Sequence, residues 1–212
     1  MLKPLTVPLV LLVLAASLFA GWVAMASEQF FPTSLYAAVE PCSTEDGPFN
    51  DVLGQPTLDE FEADWFVGEL QGLHERPLFP ADQKSTTLRF AMFRSFHADV
   101  VVRVDQLPTG EMELTAKRAV GRDGCKLDEA PCELHRTLTS DERVRLLEAE
   151  KNAFAAPPRD CRGGLDGSRW LIEKSADGRY DFAQRFSPET GRVRELGVTM
   201  LELTGWRFKE IY

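Results

Sequence analysis

The chain has 212 residues, 44% of them apolar and 27% charged, with 24 Lys and Arg against 33 Asp and Glu and a formal charge of −9. This composition excludes a collagen, a disordered tail and a multi-span membrane protein. The acidic balance argues against nucleic-acid partners, which need cations to displace phosphate counterions, and against a general attraction to anionic lipid.

Residues 1–27 read MLKPLTVPLVLLVLAASLFAGWVAMAS, and Lys3 is the sole charge before Glu28. The apolar run 9–20 has the length of an export-signal h-region. Gly21 breaks it, and Ala24-Met25-Ala26 supplies small residues at a signal-peptidase site. No Cys stands near the cut, which closes the lipoprotein route. The expectation is a signal peptide over 1–26, cut after Ala26, with the rest in the periplasm or outside the cell. An uncleaved inner-membrane anchor is the alternative, since the uncharged stretch 5–25 can span about 30 Å of hydrocarbon. The membrane is then a partner only through 1–26.

Residues 27–56 carry Pro32, Pro41, Gly47-Pro48, Gly54 and Pro56. They read as an irregular arm, tied down by Phe30, Phe31, Tyr36 and Cys42. An α+β domain is expected over 57–212. It opens with a capping box, Thr57-Leu-Asp-Glu60, on a helix over 57–74. Leu58, Phe61, Trp65 and Leu70 form its inward stripe, with Phe66 alongside. Leu88, Phe90 and Met92, then Val100, Val102 and Val104, then Met112, Leu114 and Ala116 alternate with other residues at the period of a strand. Leu107-Pro108-Thr109-Gly110 fits a type I turn between the second and third. The result is an antiparallel meander with one apolar and one charged face, and a fourth strand over 132–138.

A second capping box, Thr139 to Glu142, opens a helix over 140–154. Asp141 and Glu142 sit where the macrodipole favours negative charge. Val144, Leu147 and Phe154 are expected inward, with Leu146 beside them. Asp177-Gly178 between two apolar-alternating runs signals a hairpin. Ser187-Pro188 opens a last helix, whose stripe is Val193, Leu196, Met200 and Leu203, and Gly205 ends it. The tail 206–212 packs back, because Trp206, Phe208, Ile211 and Tyr212 are costly to leave wet. The whole reads as one α+β domain: an antiparallel meander plus a C-terminal β-hairpin, packed by about three amphipathic helices.

Four cysteines, Cys42, Cys125, Cys132 and Cys161, are an even number that suits two disulfides in an oxidising compartment, with three pairings open. Cys125 with Cys132 is the local choice. It leaves Cys42 with Cys161, a long link worth about 3–5 kcal/mol by chain entropy. Cys125, Cys132, His135 and Cys161 have the donor types of a zinc site but lack its close-spaced knuckle. No metal and no cofactor are expected.

Gly-x-Ser-x-Gly, His-Glu-x-x-His, Walker and dinucleotide strings do not occur. His97, at a strand mouth near Arg94, is a candidate anion or acid/base group, or a histidine bonded to a loop. His74 suits a helix C-terminus without further role. The glycine-rich stretch 161–168 lacks a phosphate-loop Lys and a following helix, so it reads as a turn in which Asp166 makes local bonds. Arg169, Glu173, Arg179, Asp181 and Arg185 alternate with aromatic and apolar residues on the hairpin. They form cross-strand ion pairs or a polar groove.

The stretches SFHADVVVRV (95–104), LTAKR (114–118), LTSDERVRL (138–146) and GLDGSRWLIEKSADGRYDFAQRFSPETGRVRELG (164–197) resemble a family of uncharacterised bacterial exported proteins, over roughly 65–205. The resemblance carries no activity with it. It singles out Asp166, Trp170, Glu173, Arg179, Tyr180 and Arg185 as ligand-binding candidates. At 181–186 this chain has Asp-Phe-Ala-Gln-Arg-Phe where the family has His-Val-Val-Asp-Arg-Trp, which takes away a potential acid/base histidine. The function expected is a non-catalytic binding module of the bacterial envelope, with an unknown protein or small molecule as partner. The alternatives are a periplasmic hydrolase, using Asp166 or Glu173 with Arg179 or Arg185 near the 164–187 hairpin, and a membrane-tethered structural protein.

Overall fold

The computed structural model describes residues 29–37, 39–40, 55–121, 125, 132–155, 157, 159 and 163–212. The expected leader 1–26, the stretch 41–54 with Cys42, and Cys161 lie outside the described residues.

Alternation builds one six-stranded antiparallel sheet. A short helix α1 (Ser34–Ala37) and a two-stranded pairing of β1 (Val39–Glu40) with β2 (Gln55–Pro56) come first, then helix α2 (Glu60–Gly72). The meander follows as β3 (Thr86–Arg94), β4 (Val100–Gln106), β5 (Met112–Arg118) and β6 (Glu133–Thr137). Helix α3 (Ser140–Glu150) leads to the hairpin β7 (Ser168–Ala176) and β8 (Arg179–Phe186), and α4 (Arg192–Leu203) closes the fold. The strand order is β6-β5-β4-β3-β7-β8, so the hairpin joins the meander on the free side of β3.

Local chemistry sets the turns. Gly110 donates its amide to the Leu107 carbonyl at 2.8 Å, and Gly110 has φ 84°. Asp177 and Gly178 both take positive φ, 51° and 71°, as a two-residue hairpin turn with right-handed strand twist requires. Cys125 and Cys132 form a disulfide with Cα atoms 5.2 Å apart, which withdraws two thiols from the zinc-like donor set. His135 places Nδ1 3.1 Å from the Thr115 hydroxyl.

The sheet is covered on both faces, which corrects the expectation of one apolar and one charged, solvated face. Along β3 every residue from Thr87 to Arg94 is buried. One face carries Leu88, Phe90, Met92, Val102, Leu114 and Trp170 against α3 and α4. The other carries Ala91, Phe93, Val101, Leu171 and Phe182 against Phe30 and Phe31 of the arm and Phe66 and Leu70 of α2. The charges interleaved with this second set are therefore buried and must be paired inside.

Three helices depart from their sequence readings. In α2 the N-cap is Asp59, whose carboxylate accepts the Glu62 amide at 2.7 Å, and Thr57 is buried instead of capping. Asp59-x-x-Glu62 repeats the capping pattern two residues on, and Phe66 and Leu70 select that register by docking on the sheet. Phe61 is consequently 79% exposed rather than inward. In α3 the Thr139–Glu142 capping box forms as expected, but Leu146 is the buried residue, whereas Val144 and Leu147 are exposed. The Arg136 guanidinium holds Glu142 in place, at 2.6 Å and 2.8 Å. In α4 the N-cap is Gly191, because the Ser187 hydroxyl is engaged by the Ser168 amide at 2.9 Å. The expected stripe Val193, Leu196, Met200 and Leu203 is buried, and the tail returns with Trp206, Phe208 and Ile211 against the same core.

Gly197 marks the closest approach of α4 to the sheet: a Cβ there would lie 2.6 Å from the Trp170 ring and 2.7 Å from the Phe90 ring. Gly197→Ala should therefore lower unfolding free energy by about 1–3 kcal/mol through overpacking, although Ala is the better helix former by about 1 kcal/mol. Gly68→Ala on α2, with open space around its Cβ, should raise stability by about 0.5–1 kcal/mol. Urea titration of both variants checks this; equal signs for the two would refute the tight α4–Trp170 contact.

Candidate functional site

The seven residues singled out by sequence do not converge. Trp170 is buried in the α4-side core, its indole donating to the main-chain oxygen of Tyr212 at 2.9 Å and to Ser168 Oγ at 2.8 Å. Glu173 and Tyr180 lie on the opposite face of the sheet. Arg179 is exposed at the hairpin tip beside Asp181 of its own strand. Arg185 donates to the carbonyls of Gln184 and Pro157. Asp166 is exposed on the turn before β7. His97 places Nδ1 2.8 Å from the Tyr212 hydroxyl, at the mouth of β4.

The hairpin charges reach further than cross-strand pairing. Glu173 stands opposite Arg89 of β3, and both are fully buried. Arg89 meets it side-on through Nε at 2.7 Å and Nη2 at 2.8 Å, while its Nη1 donates to the Arg76 carbonyl at 2.6 Å. Tyr180 donates its hydroxyl to the same carboxylate at 2.7 Å. Burial first, then the Glu173 charge, pushes the Tyr180 phenol well up. Glu75, also buried, takes Arg103 at 2.7 Å and Lys117 at 2.9 Å. Burial pulls the Arg89 guanidinium down, but Glu173 outweighs it and the net shift is upward. Glu173 is thus locked in a structural network rather than presented to a ligand. Arg169, another hairpin cation, reaches Glu62 of α2 at 3.0 Å.

A concave site does form, at the sheet end where β3 and β8 finish and β4 and β7 begin. Helix α2 roofs it. One hollow, of about 530 Å³, lies between α2 and the turn 163–168. Its apolar wall includes Phe61, Trp65, Phe93, Leu165 and Phe186. Its polar floor is Glu62, buried and held between Arg159 at 2.7 Å and Arg169 at 3.0 Å. The Arg169 guanidinium lies 5.0 Å from the Phe186 ring centre, which fixes both. Gly167 is required here, with φ 148° and a position where a Cβ would come within 2.7 Å of Phe186.

A second hollow, of about 480 Å³, adjoins the first and shares Trp65 and Ser95 with it. It contains Glu69, His97 and Asp99. Trp65 Nε1 donates to Glu69 at 3.1 Å, and Asp99 accepts the Arg94 amide at 2.8 Å. Burial pushes the Asp99 carboxyl up to about 7; the hydrogen-bonded Glu69 beside it adds to the rise, against the pull of the Arg94 amide and guanidinium. Among the described residues, no group of three or more His, Cys, Asp or Glu is gathered as a metal site, and no helix is long and apolar enough to cross a membrane.

Of this site the sequence reading had His97 as a candidate and Arg169 as a member of a polar groove. Glu62 and Glu69 of α2 come together with Asp99, Arg159 and Arg169 from four separate segments. Phe61 and Trp65 read as core because their spacing with Leu70 fits a helical stripe; the face the sheet buries is instead Ala63, Phe66 and Leu70. Compared with known proteins, the chain matches no protein-family model, and neither a curated protein nor a solved structure is significantly similar to it.

Two outcomes follow for stability. Arg89→Met strands a buried carboxylate and should cost about 3–5 kcal/mol, whereas Arg89→Met with Glu173→Leu should recover most of the loss; urea unfolding reads both. Asp99 keeps its proton when folded up to about pH 7 but releases it near 3.8 when unfolded. Stability from this group is therefore full below 3.8 and falls as pH rises through 7. Asp99→Asn should flatten that part of the pH–stability curve, and an unchanged slope would refute the assignment.

Proposed function

We propose that this protein is an exported, non-catalytic binding module of the bacterial cell envelope, delivered to the periplasm or beyond, and that the groove under α2 receives its partner. One observation carries the reading. Of the seven exposed large hydrophobic side chains among the described residues, Phe61, Trp65, Val120 and Leu165 line this groove. Phe61 is 79% and Leu165 99% exposed. Clustered exposed apolar surface rimmed by polar groups is a mark of interaction sites. Aromatic residues beside arginine are also the composition of interface centres.

Export is supported by the leader-like residues 1–26 and by the Cys125–Cys132 disulfide, which suits an oxidising compartment. The resemblance of 164–197 to exported bacterial proteins points the same way. A periplasmic hydrolase is the second reading, favoured by the raised Asp99 carboxyl in a hollow. Its hydrogen-bonded partner Glu69 stands closer than the ~5 Å separation of a glycosidase pair, so such a dyad would share one proton.

Intact-mass analysis of envelope fractions should give a chain starting at Ser27 with Cys125 and Cys132 oxidised. Photo-crosslinkers placed at Phe61 or Leu165 should capture a saturable partner, and one at Val144 on α3 should not. A reduced cytosolic chain, or equal capture at all three positions, would overturn the proposal.

A further inference from the structure

We infer that the groove, taken as the binding site proposed above, is regulated by a single proton: shared between Asp99 and Glu69, it latches α2 to the mouth of β4 and fixes Trp65 as the wall between the two hollows.

Glu69 stands on the last turn of α2 and Asp99 immediately before β4. Both line the second hollow, and their side chains are in hydrogen-bond contact. Ionised carboxylates only accept, so this contact requires a proton on one of the two. The remaining partners complete a chain. The Arg94 amide donates to Asp99 at 2.8 Å, and the Trp65 indole donates to Glu69 at 3.1 Å. Amide and indole N–H groups are fixed donors, so the proton between the carboxyl groups is the one variable link from the sheet to Trp65. It resides on Asp99, whose carboxyl is pushed up to about 7 by burial, with Glu69 adding to the rise.

The two ends of the latch differ in rigidity. Asp99 is held through its side chain by the Arg94 amide and through its carbonyl by the Ala119 amide at 2.9 Å. Glu69 is half-buried and can swing into water. Helix α2 itself stays seated through Phe66, Leu70 and the Glu62 clamp. When the proton leaves, two carboxylates at hydrogen-bond distance repel. Glu69 then turns outward, and the Trp65 indole loses the acceptor that orients it. Trp65 lines both hollows, so its orientation sets how they are divided. Among the charged residues of α2, Glu69 alone lines this hollow. Arg94, at the end of β3, opposes the rise at Asp99 and donates to the carbonyls of Ala98 at 3.0 Å and Glu210 at 3.4 Å. Arg118, at the end of β5, lies 5.6 Å from the Phe208 ring centre, and the lining residues after β5, Ala119 to Gly121, bring no titratable side chain. His97, in the β3–β4 turn, meets the Tyr212 hydroxyl of the tail at 2.8 Å. A guanidinium does not deprotonate in a protein, which leaves His97 as the group the test must separate from the latch.

The test follows the Trp65 indole N–H by NMR in the ¹⁵N-labelled, disulfide-bonded protein as pH is raised from acid to alkaline, with Trp65→Phe assigning the resonance. The resonance should move between two positions with one midpoint near 7, and its heteronuclear NOE should fall on the alkaline side. Asp99→Asn keeps a donor toward Glu69 at every pH, so the indole should hold its acid position throughout. Asp99→Ala removes the link and should hold the indole in its alkaline position throughout, while the Trp170 indole, buried in the opposite core, reports that the fold is intact. His97→Asn should leave the midpoint in place. A Trp65 resonance that does not titrate, or whose titration survives Asp99→Asn or disappears with His97→Asn, overturns the inference. An unmoved Trp65 with continued crosslinking from Phe61 removes the latch alone. Loss of crosslinking with the titration intact overturns the binding reading on which the regulation rests.

Discussion

A buried ion pair at the centre of the sheet sets where everything else stands. Arg89 of β3 faces Glu173 of β7 across the join between the meander and the C-terminal hairpin, and neither touches solvent. A charge in that position is costly unless every donor finds an acceptor. Here the guanidinium is shared between Glu173 and the Arg76 carbonyl, and the carboxylate also accepts Tyr180. A slip of the β3–β7 register by one residue would turn Arg89 toward Phe90's side of the sheet, among Trp170 and the α4 residues. The pair thus penalises the wrong pairing more than it rewards the right one. It acts at the least local contact in the topology, since the two strands are far apart in sequence.

That network also anchors the chain leaving α2. Glu75 and the Arg76 carbonyl reach down into it from the turn just after the helix. At the other end, Glu62 is pinned by Arg159 and Arg169. Between these two clamps, Phe66 and Leu70 seat α2 on Phe93 and its neighbours, with the Phe66 and Phe93 rings stacked 5.6 Å apart. Once the inner side of the helix is spent this way, Phe61 and Trp65 have to face outward. Their exposure follows from how α2 is held, and it creates the aromatic rim of the groove. Apolar residues on both sides of one helix are the physical origin of the site.

The same ends of the sheet supply the polar half. The β3–β4 turn brings His97 and Asp99 beside Glu69, and the glycine turn before β7 brings Leu165 opposite Phe61. The tail then closes the far side, with Tyr212 bonded to His97, Ser168 and Trp170. The hairpin residues that look distinctive in sequence mostly serve this scaffold: Trp170 fills the core, Glu173 and Tyr180 hold register, and Arg169 braces the groove floor.

Elements whose signal is local could be read along the chain. The alternation of Val100, Val102 and Val104, the Asp177-Gly178 turn, the Thr139–Glu142 box, the α4 stripe and the Cys125–Cys132 link all depend on neighbours within a few residues, and each is present in the folded protein. The choice between two overlapping caps at Thr57 and Asp59 could not be made that way, because both satisfy the same helix end. Nor could the burial of the charged face: a lone alternating Arg89 or Glu173 looks the same whether water or a distant partner receives it. Periodicity tells which residues share a side of an element, but not which side another element will cover. That decision belonged to long-range packing, where the arm and α2 closed over the second face of the sheet, and the groove exists only because they did.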